Sequence, residues 1–333
     1  MKKAILVNVM LVPFCLSAYS QELSKDESGS QLMRIYEDND FLNIYGKGTD
    51  RAYSNGLSID FYKIRNGIPS ALIDRILPKA GEHRTDVYSW SITQLMYTPS
   101  NLGERAFQPN DYYYSGALML SHALHSSNAA RKYAVQSGLT VGLRGSASCA
   151  DMLQKSVHRL INDEIPAGWE NQLQPKLLIN LNFAIEKQMV CLLRFVEIIN
   201  GFEISTGTLT NTASIYPLVR IGYMNPYFRG LIRQYASSSS RISKRDRFQA
   251  YFLFKPKASL VLSNAMIQGK VSKENPSPAI DENKINNYIA ELNYGVVFVL
   301  GSFGISYIQK PITPYKKGLY THNVGNVSLY FNW

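Results

Sequence analysis

Along most of the chain the hydrophobic residues recur at every second position, the period of a strand with two chemically different faces. Ser54, Gly56, Ser58 and Asp60 alternate with Leu57, Ile59 and Phe61. Tyr88, Trp90 and Ile92 alternate with Ser89, Ser91 and Thr93. Leu177, Ile179, Leu181 and Phe183 alternate with Asn180, Asn182 and Ala184, and Tyr288, Leu292, Tyr294, Val296 and Phe298 interleave with Glu291, Asn293 and Gly295. Each of these strands has one greasy face and one small or polar face.

A soluble β-sandwich shows the same alternation, so other features must separate it from a membrane barrel. Met1-Lys2-Lys3, the apolar run from Ala4 to Leu16 and the small residues Ser17 to Ser20 form a secretory signal, with cleavage expected after Ser20. Removing residues 1–20 takes two lysines from a net charge of +10 and leaves a basic chain. No later apolar run reaches the roughly 18 residues of a membrane helix. The chain nevertheless carries 22 Tyr and 14 Phe with only 18% charged residues, which suits strands in contact with lipid. It also closes on an alternating segment ending Tyr330-Phe331-Asn332-Trp333, similar to the last strand of outer-membrane barrels. The expected fold is an all-β, transmembrane antiparallel β-barrel over residues 21–333, with no second domain.

Candidate strands fall near 31–40, 51–63, 86–97, 112–124, 132–144, 176–186, 191–205, 213–223, 248–264, 285–300, 303–310 and 321–333. About twelve strands, an even number, return both termini to the periplasm. Pro217 and Pro256 suggest bulges or misplaced ends in the eighth and ninth. Cys149 and Cys191 fall at opposite ends of neighbouring strands, too far apart for a disulfide.

Residues 147–175 break the period. Leu153, Val157, Leu160 and Ile161 are spaced for one face of a helix, with Gln154 and His158 on a neighbouring face. A helix inside a long outer loop is a usual place for function. His158 is the one histidine of five placed among candidate partners: Gln154, Glu164 and Trp169. Glu37-Asp38-Asn39-Asp40 reads either as a solvated acidic strand end or as oxygen donors for calcium. Ser54 reads as a lumen-lining hydroxyl or as a site residue. No Gly-x-Ser-x-Gly, His-Glu-x-x-His or Cys-x-x-Cys motif is present.

Four pieces in order resemble the outer-membrane lipid A 3′-O-deacylase family. They are Glu37-Asp38-Asn39-Asp40 with Thr49 to Gly56; Gln94-Leu95-Met96-Tyr97-Thr98-Pro99; Asn110 to Gly116, where Tyr112 and Tyr113 replace an Arg-Pro pair; and Gln154-x-x-x-His158 with Pro166 to Gln172. The resemblance implies a calcium-dependent esterase that removes the 3′-linked acyl or acyloxyacyl chain of lipid A at the extracellular rim. It places Asn39, Asp40, Ser54, His158 and Glu164 in the catalytic site, with Asp40, Asn39 and Glu164 as the calcium ligands. His158 would activate a water or Ser54. Lys47, Arg51, Arg144, Lys155 and Arg159 are candidate contacts for substrate phosphates. The expected partners are lipopolysaccharide and the outer membrane, with no nucleic acid, and the chain is expected to act as a monomer. An outer-membrane phospholipase, or a channel or adhesin without enzymatic activity, are the alternatives.

Overall fold

The computed structural model describes residues 30–44, 51–65, 69, 71–192, 195–235, 247–271 and 285–333. The expected signal segment, Lys47 and part of the first motif lie outside the described residues. Twelve strands run in order around a closed antiparallel barrel: β1 Gln31–Asn39, β2 Ala52–Ile64, β3 Arg84–Thr98, β4 Ser115–Asn128, β5 Tyr133–Arg144, β6 Lys176–Leu192, β7 Val196–Gly207, β8 Thr210–Tyr223, β9 Phe248–Asn264, β10 Tyr288–Leu300, β11 Phe303–Ile312 and β12 His322–Asn332. Pairing of β1 with β12, from Leu32↔Asn332 to Asn39↔Gly325, closes the wall. Closure leaves no open strand edge, the condition for a sheet to cross lipid.

The two faces are sorted as the alternation predicts. Phe61, Trp90, Ile92, Leu118, Leu120 and Leu177 point outward and are exposed, while Ser58, Asp60, Ser89 and Asn180 on alternate positions are buried. The interior is filled by paired charges. Arg34 bonds Asp60 at 2.6 Å, Lys310 bonds Asp38 at 2.8 Å, Arg220 bonds Glu197 at 2.7 Å, and Lys255 and Lys257 share Glu203. Unpaired charges would be costly there.

Both ends of the lumen are packed. After β8, the short helix α3 (Leu231–Tyr235) enters from the end that carries the termini; Ile232 packs on Leu32, Tyr62 and Val87, and the Tyr235 ring stacks on Tyr330 at 4.2 Å. At the other end Tyr53, Tyr97, Tyr112 and Tyr320 interlock with Met266 and Ile267.

Three expectations need correction. Strand β6 extends six residues beyond its expected end to Leu192, so Cys191 closes β6 rather than opening β7; the ladder continues past the greasy band through a register shift at Gln188/Val190. The prolines mark neither a bulge nor an end. Ile215↔Ala258 and Val219↔Phe254 keep one register on either side of them, and the ladder opens where Pro217 faces Pro256, each lacking the N–H to close it. Strand β4 begins at Ser115, leaving Tyr112 to Tyr114 in the preceding loop.

Candidate active site

The first piece of the site is built where β1 ends. Asn39 caps a 3-10 turn, Asp40–Leu42, its side-chain oxygen accepting from the Phe41 amide at 2.8 Å. The turn folds over the wall: the Leu42 carbonyl accepts from the Tyr307 hydroxyl and from Gln309 Nε2, and it lies so close to Gly325 that a Cβ there would meet it at 2.1 Å. Asp40 is 4% exposed, and one carboxylate oxygen accepts from the Arg51 amide at 3.0 Å.

On β2 a bulge falls at Ser54 and breaks the alternation expected there. Tyr53 pairs with Tyr97 and Asn55 with Met96, so Ser54 is the extra residue and the alternation shifts there. Tyr53 takes the lumen-facing place, its hydroxyl 3.1 Å from Asp38, and its ring passes over Gly56, where a Cβ would stand 1.8 Å from the hydroxyl oxygen. That close approach explains the glycine of the motif. Asn55 faces the other way, with Nδ2 donating to Glu37 at 2.5 Å. Ser54 is buried, and its Oγ donates to the Met96 carbonyl at 3.4 Å.

The second piece is the helix α2, Ala150–Ile161, at the residues expected. With α1 (Leu72–Ile76) and α3 it completes the α-helices among the described residues. It does not cover the lumen. Met96, outward on β3, packs with Ala150, Trp169, Tyr114 and Leu102, and partly buried Leu153 joins them. Outward-facing Gly116 on β4 is where the helix lands, since a Cβ there would stand 2.3 Å from that of Ala150. Gln94, also outward, donates to the Ser148 carbonyl at 2.6 Å and fixes the approach to the helix. Thus α2 lies against the lipid-facing wall.

The buried face of α2 is partly polar and its exposed face partly apolar. Ala150, Gln154 and His158 are buried against the wall, whereas Met152 and Leu160 are 63% and 61% exposed. The surroundings of the outer wall are apolar, so greasy side chains turned outward cost little. Asn162 ends the helix in the left-handed conformation, φ 58°, which Asn tolerates. The reversed chain then brings the Glu164 carbonyl to His158 Nδ1 at 2.5 Å. Nδ1 must donate to a carbonyl, so Nε2 is the basic nitrogen of the neutral ring. One turn earlier, Gln154 Oε1 accepts from Trp169 Nε1 at 2.8 Å, and the Trp169 ring lies 4.9 Å from Tyr114. Burial pushes the Tyr114 phenol up to about 12, and its hydroxyl donates to the Leu102 carbonyl at 3.2 Å.

A single row of strand partners joins the two pieces: Asn39↔Asn55, Asn55↔Met96 and Met96↔Gly116. Each step is roughly 5 Å. Asn39, Asp40 and Ser54 therefore share one stretch of rim, and His158 is carried on the helix beside it, with Met96 touching both groups. Glu164 serves His158 through its backbone; its exposed carboxylate rests above Gly103, where a Cβ would stand 2.2 Å from it. Among the described residues no three His, Cys, Asp or Glu side chains converge as a metal cage. The basic candidates divide. Arg144 is buried and donates to the carbonyls of Gln174, Ala265 and Gln268, so it is a tie between loops and not a headgroup contact. Lys155 pairs with Asp151 at 3.5 Å, the Arg51 guanidinium lies over the Tyr320 ring at 4.3 Å, and Arg159 is exposed.

The model of a family described as outer membrane protein LpxR matches residues 6–333. The chain belongs to the LpxR family. LpxR from Salmonella typhimurium has the same fold, with a TM-score of 0.72 at 18% identity over 91% of this chain and 100% of that one. The β domain of the Bordetella autotransporter BrkA (TM-score 0.44, 8% identity, 92% of this chain and 100% of that one) is far less similar. So is the translocator domain of the autotransporter NalP from Neisseria meningitidis (TM-score 0.39, 7% identity, 91% and 87%). No curated protein matches. The even strand count sets both ends of the strand array, Gln31 and Asn332, at one end of the barrel and the candidate residues described above at the other.

Sequence reasoning missed the residues that seat the helix. Gly116 and Met96 stand inside recognised motifs, but their use depends on contact with a loop more than 30 positions away. Glu37 was read as part of an acidic strand end, whereas it faces outward and holds Asn55.

Proposed function

We propose that the protein is a lipid A deacylase that hydrolyses the 3′-linked acyl ester, with His158 as general base at the extracellular rim. The carrying observation is that α2 starts on the outer wall, seated on Met96 and Gly116, with Gln154 and His158 buried on the same side of the helix as Ala150. A base at this place meets the ester region of a membrane lipid rather than a solute in the lumen. The packed lumen likewise speaks against a channel. The choice of lipid A and of its 3′ position follows from the four motifs and from family membership.

His158 Nε2 would take the proton of an attacking water, with Nδ1 held by the Glu164 carbonyl so that the ring keeps one tautomer. Ser54 is 1% exposed and its Oγ already donates to Met96, which favours water over Ser54 as nucleophile. The rim donors are all oxygens, as a hard cation requires, and the buried Asp40 carboxylate suits calcium. Asp40 and Asn39 would hold the ion together with carbonyl oxygens or water, and Glu164 would join from the loop after α2. When bound, calcium would stabilise the negative charge that develops on the ester carbonyl oxygen.

Purified protein supplied with lipid A and calcium should release one fatty-acid or acyloxyacyl product, and His158→Ala should release none. Release of lysophospholipid from glycerophospholipid, with lipid A untouched, would transfer the same site to a phospholipase.

A further inference from the structure

The periplasmic end of the wall carries a second chemistry that catalysis does not use. Arg65, Arg84, Arg131, Lys132 and Lys187 are exposed at or beside the lower ends of β2 to β6. Among the described residues of the turns at 65–83 and 129–132, Glu82 is the one exposed carboxylate. The cations converge. Arg84 donates to the Gly81 carbonyl at 2.8 Å, the Arg131 guanidinium lies 3.6 Å from the place of a Cβ on Gly81, and Lys187 donates to the Arg131 carbonyl. Arg84 also pairs with Asp86 at 2.9 Å, whereas Arg131 and Lys132 have no carboxylate partner among the described residues.

Beside them the turn after β2 folds back along the outside of the barrel. Asp74 of α1 meets His122 at 2.6 Å, Ala80 donates to Ser126 at 2.9 Å, and Asn128 donates to the Ala80 and Glu82 carbonyls. His122 alternates with Leu118 and Leu120 on the lipid side of β4, and its ring lies 4.3 Å from Trp90. With Asp74 turned to the wall, Leu72 and Ile76 remain 75% and 71% exposed, and Arg75 is exposed between them. Arg84 pairs with Asn128 at the lower end of the wall and Trp90 with His122 six residues further along the same strands. The cations therefore stand at the end and the apolar side chains and indole run up the wall from them, as in an interfacial anchor.

We propose that this face binds an anionic glycerophospholipid of the periplasmic leaflet. The headgroup phosphate sits among Arg84, Arg131 and Lys132, and the acyl chains run along Leu72, Ile76 and Trp90. Charge complementarity selects the anion, and the greasy residues beside the cations require that the anion be carried by an amphiphile. This inference rests on the outer-membrane setting of the family and not on the deacylase reading.

Native mass spectrometry in detergent with equal amounts of phosphatidylglycerol and phosphatidylcholine tests it. The protein should retain phosphatidylglycerol at least about tenfold better, and less so as salt rises. The combined Arg84→Gln, Arg131→Gln and Lys132→Gln variant should bring the two lipids to parity while lipid A hydrolysis continues. Leu72→Ser with Ile76→Ser should lower retention of both lipids. Heat-modifiable gel migration checks that each variant is folded, and the single exposed Lys132→Glu gives the same reading if the combined variant does not fold. Equal retention by the unaltered protein, a preference that survives loss of the cations, or free glycerol phosphate bound as well as the lipid would each overturn the proposal.

Discussion

Gly116→Ala is a small change with a large expected effect on activity. The added methyl would stand 2.3 Å from the Ala150 Cβ and 2.5 Å from Ser148 Oγ, where ordinary contact begins near 3.4 Å. Either β4 or the start of α2 must give by about 1 Å. The barrel has a long hydrogen-bonded ladder on both sides of β4, from Arg84↔Asn128 to Tyr97↔Ser115 and from Ala117↔Arg144 to Asn128↔Tyr133, so the helix is what moves. Overpacking of this kind costs about 1–3 kcal/mol, too little to unfold the barrel. A shift of about 1 Å in a catalytic group can cost on the order of 100-fold in rate. Turnover of lipid A should therefore fall by about that factor while heat-modifiable migration is unchanged. Adding Ala150→Gly removes the closer of the two clashes and should restore part of the activity. Full activity of Gly116→Ala alone would refute the idea that α2 must seat at Gly116 to place His158.

Trp169→Phe deprives buried Gln154 of its indole donor, a loss of about 1–3 kcal/mol that should appear as faster proteolysis within 147–175 and lower turnover, with the barrel intact. Undiminished turnover and unchanged proteolysis would remove the indole from the support of His158. If calcium polarises the ester, EDTA should stop hydrolysis and added calcium restore it, and Asp40→Ala should mimic chelation with partial rescue at high calcium. Full activity of Asp40→Ala in EDTA would remove the metal from the mechanism. Cys149 and Cys191 are both free and exposed, so mass spectrometry without reductant should find no peptide joining them, and both should react with maleimide.

The barrel was legible because membrane strands must alternate over their whole length; most of the twelve segments read from period two alone lie within three residues of the observed strands. Helix α2 was legible for the converse reason, as its period departs from two. What could not be read locally was which way things face. The Ser54 bulge shifts one residue in a strand that otherwise alternates perfectly, and only the partners Tyr97 and Met96 reveal it. Of the apolar stripe of α2, Leu153 packs on the wall and Val157 and Ile161 are half-buried, whereas Leu160 points outward, and the spacing alone does not say which. Arg144 looked like a free cation on a loop rim, but its partners are carbonyls up to 124 positions away. The basic stretch from Arg229 to Arg247 gave no reading in sequence; its first turns enter the lumen as the plug around Ile232 and Tyr235, and 236–246 lie outside the described residues.

Mass spectrometry of lipid A extracted from cells with the protein, without it, and with His158→Ala tests the central claim most directly. The unaltered protein should convert lipid A to a species lighter by one 3′-linked acyl or acyloxyacyl group, and His158→Ala should leave it as in cells without the protein. Lipid A of unchanged mass in cells with the folded, unaltered protein, under calcium-replete conditions in which its outer-membrane location is verified, would contradict a lipid A deacylase.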